Sequence, residues 1–337
     1  MFNYIIRRLF WVIPVVVIVS AVTFFMMSVA PGGPWDREKP LPPAAVANLN
    51  AQFGLDKPKW INTGGMSDAW NDGTRNPITL FSKVTDSQFL NYLQGVVTGD
   101  LGPTYESKGS ERVQDVIRDQ FPVSLRIGMV GVLFALFVGI PLGVISSLRQ
   151  NTWLDYTSLL ISTIGISVPT FVSGLLLLIF MSRNFGVSPI KRPEAWQGLF
   201  STAYILPGIV LGLGTMAYIT RLTRSTMLEV MRNDYVRTAR AKGLSEKVVV
   251  PRHMLRNALI PVVTIIGPAA ADLVTGSIII ETIFNAPGLG KEFVNSIGKR
   301  DYSMIVGITI FYAVLIAMAN VLVDLSYGFI DPRIRRR

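Results

Sequence analysis

"DYVRTARAKGLSEKVVVPRHMLRNALIP", residues 234–261, is a basic stretch set between two long apolar runs. Its first part has helical periodicity, with Val236, Ala239 and Gly243 along one face. Gly243 tolerates a positive φ and so predicts a turn or a helix end. Ser245 stands where it caps a following helix, with Val248 close behind. The pattern predicts two short helices, bent at Gly243 and leading into the next apolar run. One physical reading of such a segment is an interfacial basic helix held by anionic lipid.

The surroundings are those of a membrane protein. Of 337 residues, 50% are hydrophobic and 16% charged. Ordinary soluble domains carry about 25% charged residues. Net charge is +10. In a soluble chain that suggests nucleic acid. In a membrane chain it reflects Lys and Arg gathered on one side, so no nucleic acid partner is expected. The chain has no Cys, which excludes disulfides and thiolate metal sites. A single His, His253, argues against haem proteins and zinc proteases. No metal, cofactor or catalytic residue is expected.

Six runs are long enough to cross a bilayer, near 9–29, 123–148, 156–181, 199–219, 259–284 and 304–327. The first follows Arg7 and Arg8, lacks a clear cleavage site after it, and reads as an uncleaved span. Pro141, Pro169, Pro207 and Pro268 fall within the runs, a tolerated feature where neighbouring helices re-satisfy freed carbonyls. "GISVPTFVSG" (165–174) and "GIVLGLG" (208–214) supply small residues for close helix packing. Residues 31–121 are polar and turn-rich, with short helices expected at 44–53 and 110–120 and a loop at 62–77. The chain therefore divides into an N-terminal span (1–30), an external loop or small subdomain (31–121), a membrane domain (122–328) and a basic tail (329–337). The membrane domain includes a cytoplasmic loop, 220–258.

Charge sets the expected orientation. With both termini inside, the inner segments hold Arg7, Arg8, Arg149, the cluster from Arg221 to Arg256, and Arg333, Arg335, Arg336 and Arg337. The short outer loops hold only Arg183, Lys191, Arg192, Lys291, Lys299 and Arg300. The positive-inside rule favours this arrangement, and the long 31–121 segment is exempt from it. The opening stretch is then cytoplasmic.

Few polar groups lie inside the runs. Asp272 and Glu281 occupy the fifth, and both are candidates for lining a path or for structural hydrogen bonding. Asp324, near the inner surface, reads as structural, and Arg126 is expected to snorkel outward. "NAPGLGKE" (285–292) fails as a phosphate loop, with Asn285 in place of the first Gly and Glu292 in place of Ser or Thr. It reads better as a turn at an outer gate.

The opening stretch resembles the "EAA" loop of type I ABC importer permeases. Arg237-Thr238-Ala239, Arg240-Ala241-Lys242 and Gly243 occupy the motif positions. The motif's Glu and first Ala are absent, and the spacing from Gly243 to Pro261 is longer than the general pattern. Both departures match the dipeptide/oligopeptide/nickel permease family. "YIIRRLFWVIP" (4–14), "VAPGGP" (29–34), "FGLDKPKW" (53–60), "GDLGPTY" (99–105), "PGLGKEFVNSIGKRDY" (287–302) and "VDLSYGFIDPRIR" (323–335) are similar to further landmarks of that family. Residues 61–88 look like an insertion. The long first external loop resembles the B-type subunit.

The resemblance implies an all-α polytopic protein of the type I importer fold, with six transmembrane helices and a long external loop after the first. It implies a permease in a prokaryotic cell membrane, with cytoplasmic termini, forming half of a pore for di- or oligopeptides. Its partners would be a second ABC permease, two ABC ATPase subunits, an extracytoplasmic solute-binding protein and membrane lipid. ATP hydrolysis would fall to the partner subunits. Arg237, Thr238, Ala239, Arg240, Ala241, Lys242, Gly243, Leu244, Ser245, Arg252 and Arg256 would form the ATPase-coupling segment, with Asp272 and Glu281 lining the pore. Nickel chelates, glutathione and oligosaccharides remain alternative cargoes. A stand-alone secondary transporter or channel would need internal repeats and an ion site, and neither is evident. An intramembrane protease would need a Ser–His or paired-Asp site, and no His lies in any span.

Overall fold

The computed structural model describes residues 2–36, 41–65, 77–186 and 193–330. Their regular structure is helical, with 3-10 turns, one π-helical turn and one isolated bridge between Pro103 and Arg112, and among them there is no strand. The helices are α1 (Phe2–Val29), α2 (Pro43–Gln52), α3 (Pro77–Thr85), α4 (Gln88–Thr98), α5 (Val113–Leu148), α6 (Trp153–Ser167) and α7 (Thr170–Phe185). They continue as α8 (Ile205–Val230), α9 (Asp234–Ala241), α10 (Glu246–Val274), α11 (Ile278–Ile283), α12 (Leu289–Lys299) and α13 (Tyr302–Ile330). Most of the expected 62–77 loop, Lys191, Arg192, the 331–337 tail and the side chain of Asp324 lie outside the described residues.

Among these, 5 helices are long and apolar enough to cross a membrane, or up to 6 if the pair α6 and α7 counts as one span. That pair is bent by 111°, where an unbroken span over 156–181 was expected. Pro169 explains the break. A proline disfavours helical backbone at the residue before it, and Val168 is extended at φ −83°, ψ 123°. Two other expectations also change. Residues 110–120 are not a separate short helix but run into α5, which continues for 36 residues through Pro122 and Pro141. The run 259–284 is interrupted at Gly276, whose φ is +86°, so that α11 stands apart from α10.

The chain forms two compact units. One comprises Met1–Ile6, Phe121–Lys291 and Leu315–Arg337, with α8 at its centre, packed by α6, α7, α10 and α11. Helix α5 meets α8 through glycine. A Cβ on Gly212 would lie 2.5 Å from the Gly131 carbonyl oxygen, and one on Gly131 would lie 3.1 Å from that of Gly208. Helices in lipid gain no hydrophobic drive to associate, so such close backbone contact is what holds them. Arg126 does not snorkel outward as expected. It donates to the Tyr204 hydroxyl at 2.9 Å, and Tyr204 is buried beside Trp196.

The other unit, Arg7–Gln120 and Glu292–Val314, is built on aromatic clusters. Trp35, Phe53 and Tyr105 pack in tilted and edge-to-face contacts at ring separations of 5.0 to 5.5 Å, and Phe24, Trp60 and Phe89 do so at 5.1 to 5.4 Å. Burial pushes the Tyr105 phenol above its ordinary value. Asp301 ties the long segment to α13, accepting from the Glu106 amide at 3.0 Å and the Met304 amide at 3.1 Å. The insertion noted in the sequence contributes Ser87, whose hydroxyl donates to the Trp60 carbonyl at 2.6 Å.

The α5–α8 crossing yields a prediction. Gly212→Leu drives a side chain into the α5 backbone, and overpacking of this kind costs about 1–3 kcal/mol or more. Thermal unfolding in detergent should fall by several degrees, whereas Gly198→Ala, where a Cβ finds ordinary contacts at 3.7 Å, should leave it unchanged.

Candidate functional site

The basic stretch folds as a packed elbow at the end of α8. Helix α9 starts after Asn233, with Asp234 in its first turn and Arg240 in its last, both favourable to the helix dipole. Val236 and Ala239 are the buried face, as the periodicity predicted. They pack with Met227 and Val230 of α8 and with Val249, Met254 and Ala258 of α10, and Val144 of α5 closes the cluster.

Gly243 ends α9 for a conformational reason. Its φ is +79°, and a Cβ there would meet nothing within 4 Å. The Gly243 amide donates to the Arg240 carbonyl at 2.9 Å and the Leu244 amide to the Ala239 carbonyl at 3.3 Å. That is the paired hydrogen bonding of a glycine-terminated helix, and it satisfies carbonyls that would otherwise be left open. Gly243 is therefore not part of the buried helical face, contrary to expectation. Ser245 occupies the next N-cap position, but its side chain makes no cap hydrogen bond. Its carbonyl accepts from the Val248 and Val249 amides instead, at 2.8 and 3.0 Å.

The corner is closed by charge. Arg240 Nε donates to Glu246 Oε1 at 2.7 Å and Nη2 to Oε2 at 3.2 Å, a two-point contact. That bond raises the Arg240 guanidinium further above its ordinary value. The Arg240 fork is engaged within the elbow, while its side chain stays partly exposed. Beyond the corner, α10 opens into a π-helical turn, Val249–Leu255, around Pro251. Proline has no amide to donate and crowds the preceding turn, which the wider turn relieves. Asn257 Nδ2 donates to the Tyr235 hydroxyl at 2.9 Å and ties α10 back to α9.

The remaining expected residues make up the exposed, basic surface of α9, the turn and the start of α10, the ledge of the elbow. Arg237, Thr238, Ala241, Lys242, Gly243, Leu244 and Ser245 are all exposed, as are Arg252 and Arg256. Lys242, Arg252 and Arg256 make no ion pair among the described residues. Arg237 comes within 3.8 Å of Asp234, a loose contact between exposed groups. Leu244 and Val248 place apolar surface among these cations, at 39% and 38% exposure.

The two candidate pore residues separate. Asp272 is exposed on α10. Glu281 is 0% exposed. Its Oε1 accepts from the Ser124 hydroxyl at 2.7 Å and its Oε2 from the Lys291 amide at 2.8 Å. Ser124 in turn accepts from the Leu289 amide at 2.9 Å. A carboxylate spent in this way presents nothing to a passing solute, so Glu281 is a clamp on the 285–291 turn and not a pore-lining group. No sequence signal separated the two acids, because the partners of Glu281 lie on other elements.

A multi-spanning helical membrane protein that carries a basic elbow packed onto the end of a long helix is one of a recognisable class. Residues 139–336 match the family model "Binding-protein-dependent transport system inner membrane component". The chain is 39% identical to the dipeptide transport system permease protein DppB of Bacillus subtilis, covering 99% of this chain and 98% of that one. It is 35% identical to the oligopeptide transport system permease protein OppB of Haemophilus influenzae, over 99% and 100%. A solved structure of an amino acid ABC transporter overlaps 63% of this chain and 92% of its own, at 15% identity and a TM-score of 0.49, too slight to assign a fold. The chain belongs to the family of inner membrane components of binding-protein-dependent transport systems, and it is a transport subunit rather than an enzyme.

Gly243→Ala should loosen the elbow by about 1–2 kcal/mol, the cost of left-handed backbone for a residue bearing a Cβ. Gly243→Asn should cost less, since Asn tolerates that conformation. Amide hydrogen exchange across 239–249 should rank wild type slowest, then Asn, then Ala.

Proposed function

We propose that this chain is a B-type permease subunit of an ATP-driven importer, forming half of the translocation pore for di- and oligopeptides. The observation that carries the reading is the exposed elbow. A short helix fixed by a buried core, a glycine-terminated turn and an Arg–Glu corner transmits a push, whereas a mobile loop would absorb it. The ledge of Arg237, Lys242, Arg252 and Arg256, with Leu244 and Val248 between them, suits a groove with an acidic rim and an apolar floor. Rim charges of this kind serve docking register and specificity more than affinity.

The partners in this reading are a second permease, two ATPases at the elbows and a solute-binding protein at the outer face. Both termini are cytoplasmic in a prokaryotic cell membrane, and the architecture is the six-span type I importer fold with its long external loop. Relatives named for dipeptide and oligopeptide transport support the peptide cargo over nickel chelates, glutathione or oligosaccharides. Asp272 is the pore-lining group of this reading, an exposed carboxylate suited to the amino end of a peptide.

The test is purification and uptake. Tagged chain expressed with its neighbouring transport genes should bring down an ATPase subunit and a second permease. Proteoliposomes of that complex should take up labelled dipeptide only with ATP inside and binding protein outside. Purification alone, with uptake driven by an ion gradient, would refute the reading in favour of a secondary transporter. Within the working complex, Asp272→Asn should change the ranking of peptides by uptake rate, and an unchanged ranking would remove Asp272 from the path.

A further inference from the structure

Asp155 stands in the first turn of α6 and is 1% exposed. Its carboxylate accepts four hydrogen bonds from three places in the chain. Arg224 of α8 donates Nε to Oδ1 at 2.7 Å and Nη2 to Oδ2 at 2.8 Å. Ser146, near the end of α5, donates its hydroxyl to Oδ1 at 2.5 Å. The Asn151 amide, in the loop between α5 and α6, donates to Oδ2 at 3.0 Å. A turn away on α8, Arg221 donates to the Thr163 hydroxyl of α6 at 2.8 Å. Helix α5 presses on the same turn of α8. A Cβ on Gly143 would lie 2.6 Å from both the Thr220 carbonyl and the Thr223 Cβ, and 3.1 Å from the Arg224 amide nitrogen.

The position of this knot matters. The next turns of α8 supply Met227 and Val230 to the core beneath the elbow, and Val144 of α5 joins that core. A bidentate guanidinium–carboxylate contact fixes distance and orientation as well as charge. A buried carboxylate stripped of its cation is strongly disfavoured, so α8 cannot slide along α6 without breaking a costly contact.

We propose that Asp155 and Arg224 are positioning residues that brace α5, α6 and α8 into one body, so that displacement of the elbow is delivered to the membrane helices. The proposal rests on the reading of the elbow as the ATPase dock. It assigns the pair a share in coupling hydrolysis to transport, acting through α8 rather than by contact with solute or ATPase.

The experiment uses the complete transporter in proteoliposomes and reads peptide transported per ATP hydrolysed. Asp155→Asn removes the charge, and Arg224→Lys keeps the charge but loses the fork. Both complexes should retain the ATPase on purification and continue to hydrolyse ATP. Peptide per ATP should fall on the order of tenfold for Asp155→Asn, within the usual span of coupling between sites, and by less for Arg224→Lys. The chain has no cysteine, so Asp155→Cys with Arg224→Cys gives a unique pair. Bridging that pair with a short bis-maleimide should restore much of the lost coupling. If Asp155→Asn does not assemble, Arg224→Lys and the bridged pair decide. Unchanged peptide per ATP in the variants overturns the brace. So does a proportional loss of hydrolysis and transport, which is the mark of a merely structural role, and so does a bridged pair that stays uncoupled. Failure of the wild-type chain to retain any ATPase would instead remove the functional reading, and the brace with it.

Discussion

Helix α8 lies against α5 at a separation that only glycine allows. With Gly131 facing Gly208 and Gly212, the two backbones touch where side chains would ordinarily hold them apart. In lipid this contact replaces the hydrophobic drive that assembles soluble cores, because hydrocarbon outside the protein is as apolar as the side chains within. The elbow and the helices of its unit are arranged around α8. Its flanks receive the bent pair α6 and α7, its length receives α10, and its end supports the elbow.

The elbow divides its charge between two tasks. Arg240 is spent on Glu246 to hold the corner, and Arg237, Lys242, Arg252 and Arg256 are left outward. A flat lipid anchor would present one continuous basic face with its apolar side down. Here the apolar side of α9, Val236 and Ala239, is already buried against the protein, and the ledge projects from a bend. Leu244 and Val248, just beyond the bend, add modest apolar surface.

Much of this was legible in the sequence, because it depends on local chemistry. Span lengths follow from bilayer thickness, and the bend at Gly243 follows from a glycine behind a short amphipathic helix. Val236 and Ala239 fell where a 3.6-residue period puts them. The break at Pro169 carried a signal, the residue before a proline, but long apolar runs over 156–181 concealed it. What the sequence could not display is pairing at a distance. Glu281 and Ser124 are 157 residues apart, and Asp155 and Arg224 are 69. An acid in an apolar run looks the same whether it faces a pore or is clamped by a glycine turn. Only the fold separates Asp272, which is exposed, from Glu281, which is sealed.

In the proposed function the 234–258 elbow docks on an ATPase. Single cysteines at Ala241, Leu244 and Val248, in a chain that has none of its own, make the direct measurement. A short cross-linker applied to native membranes containing the whole transporter should join each position to the ATPase subunit, with yields that change on adding ATP. Cysteines at Thr163 or Phe180, on α6 and α7, should give no such product. Elbow cysteines that label only with lipid-phase reagents, and never join the ATPase in either nucleotide state, would contradict the account.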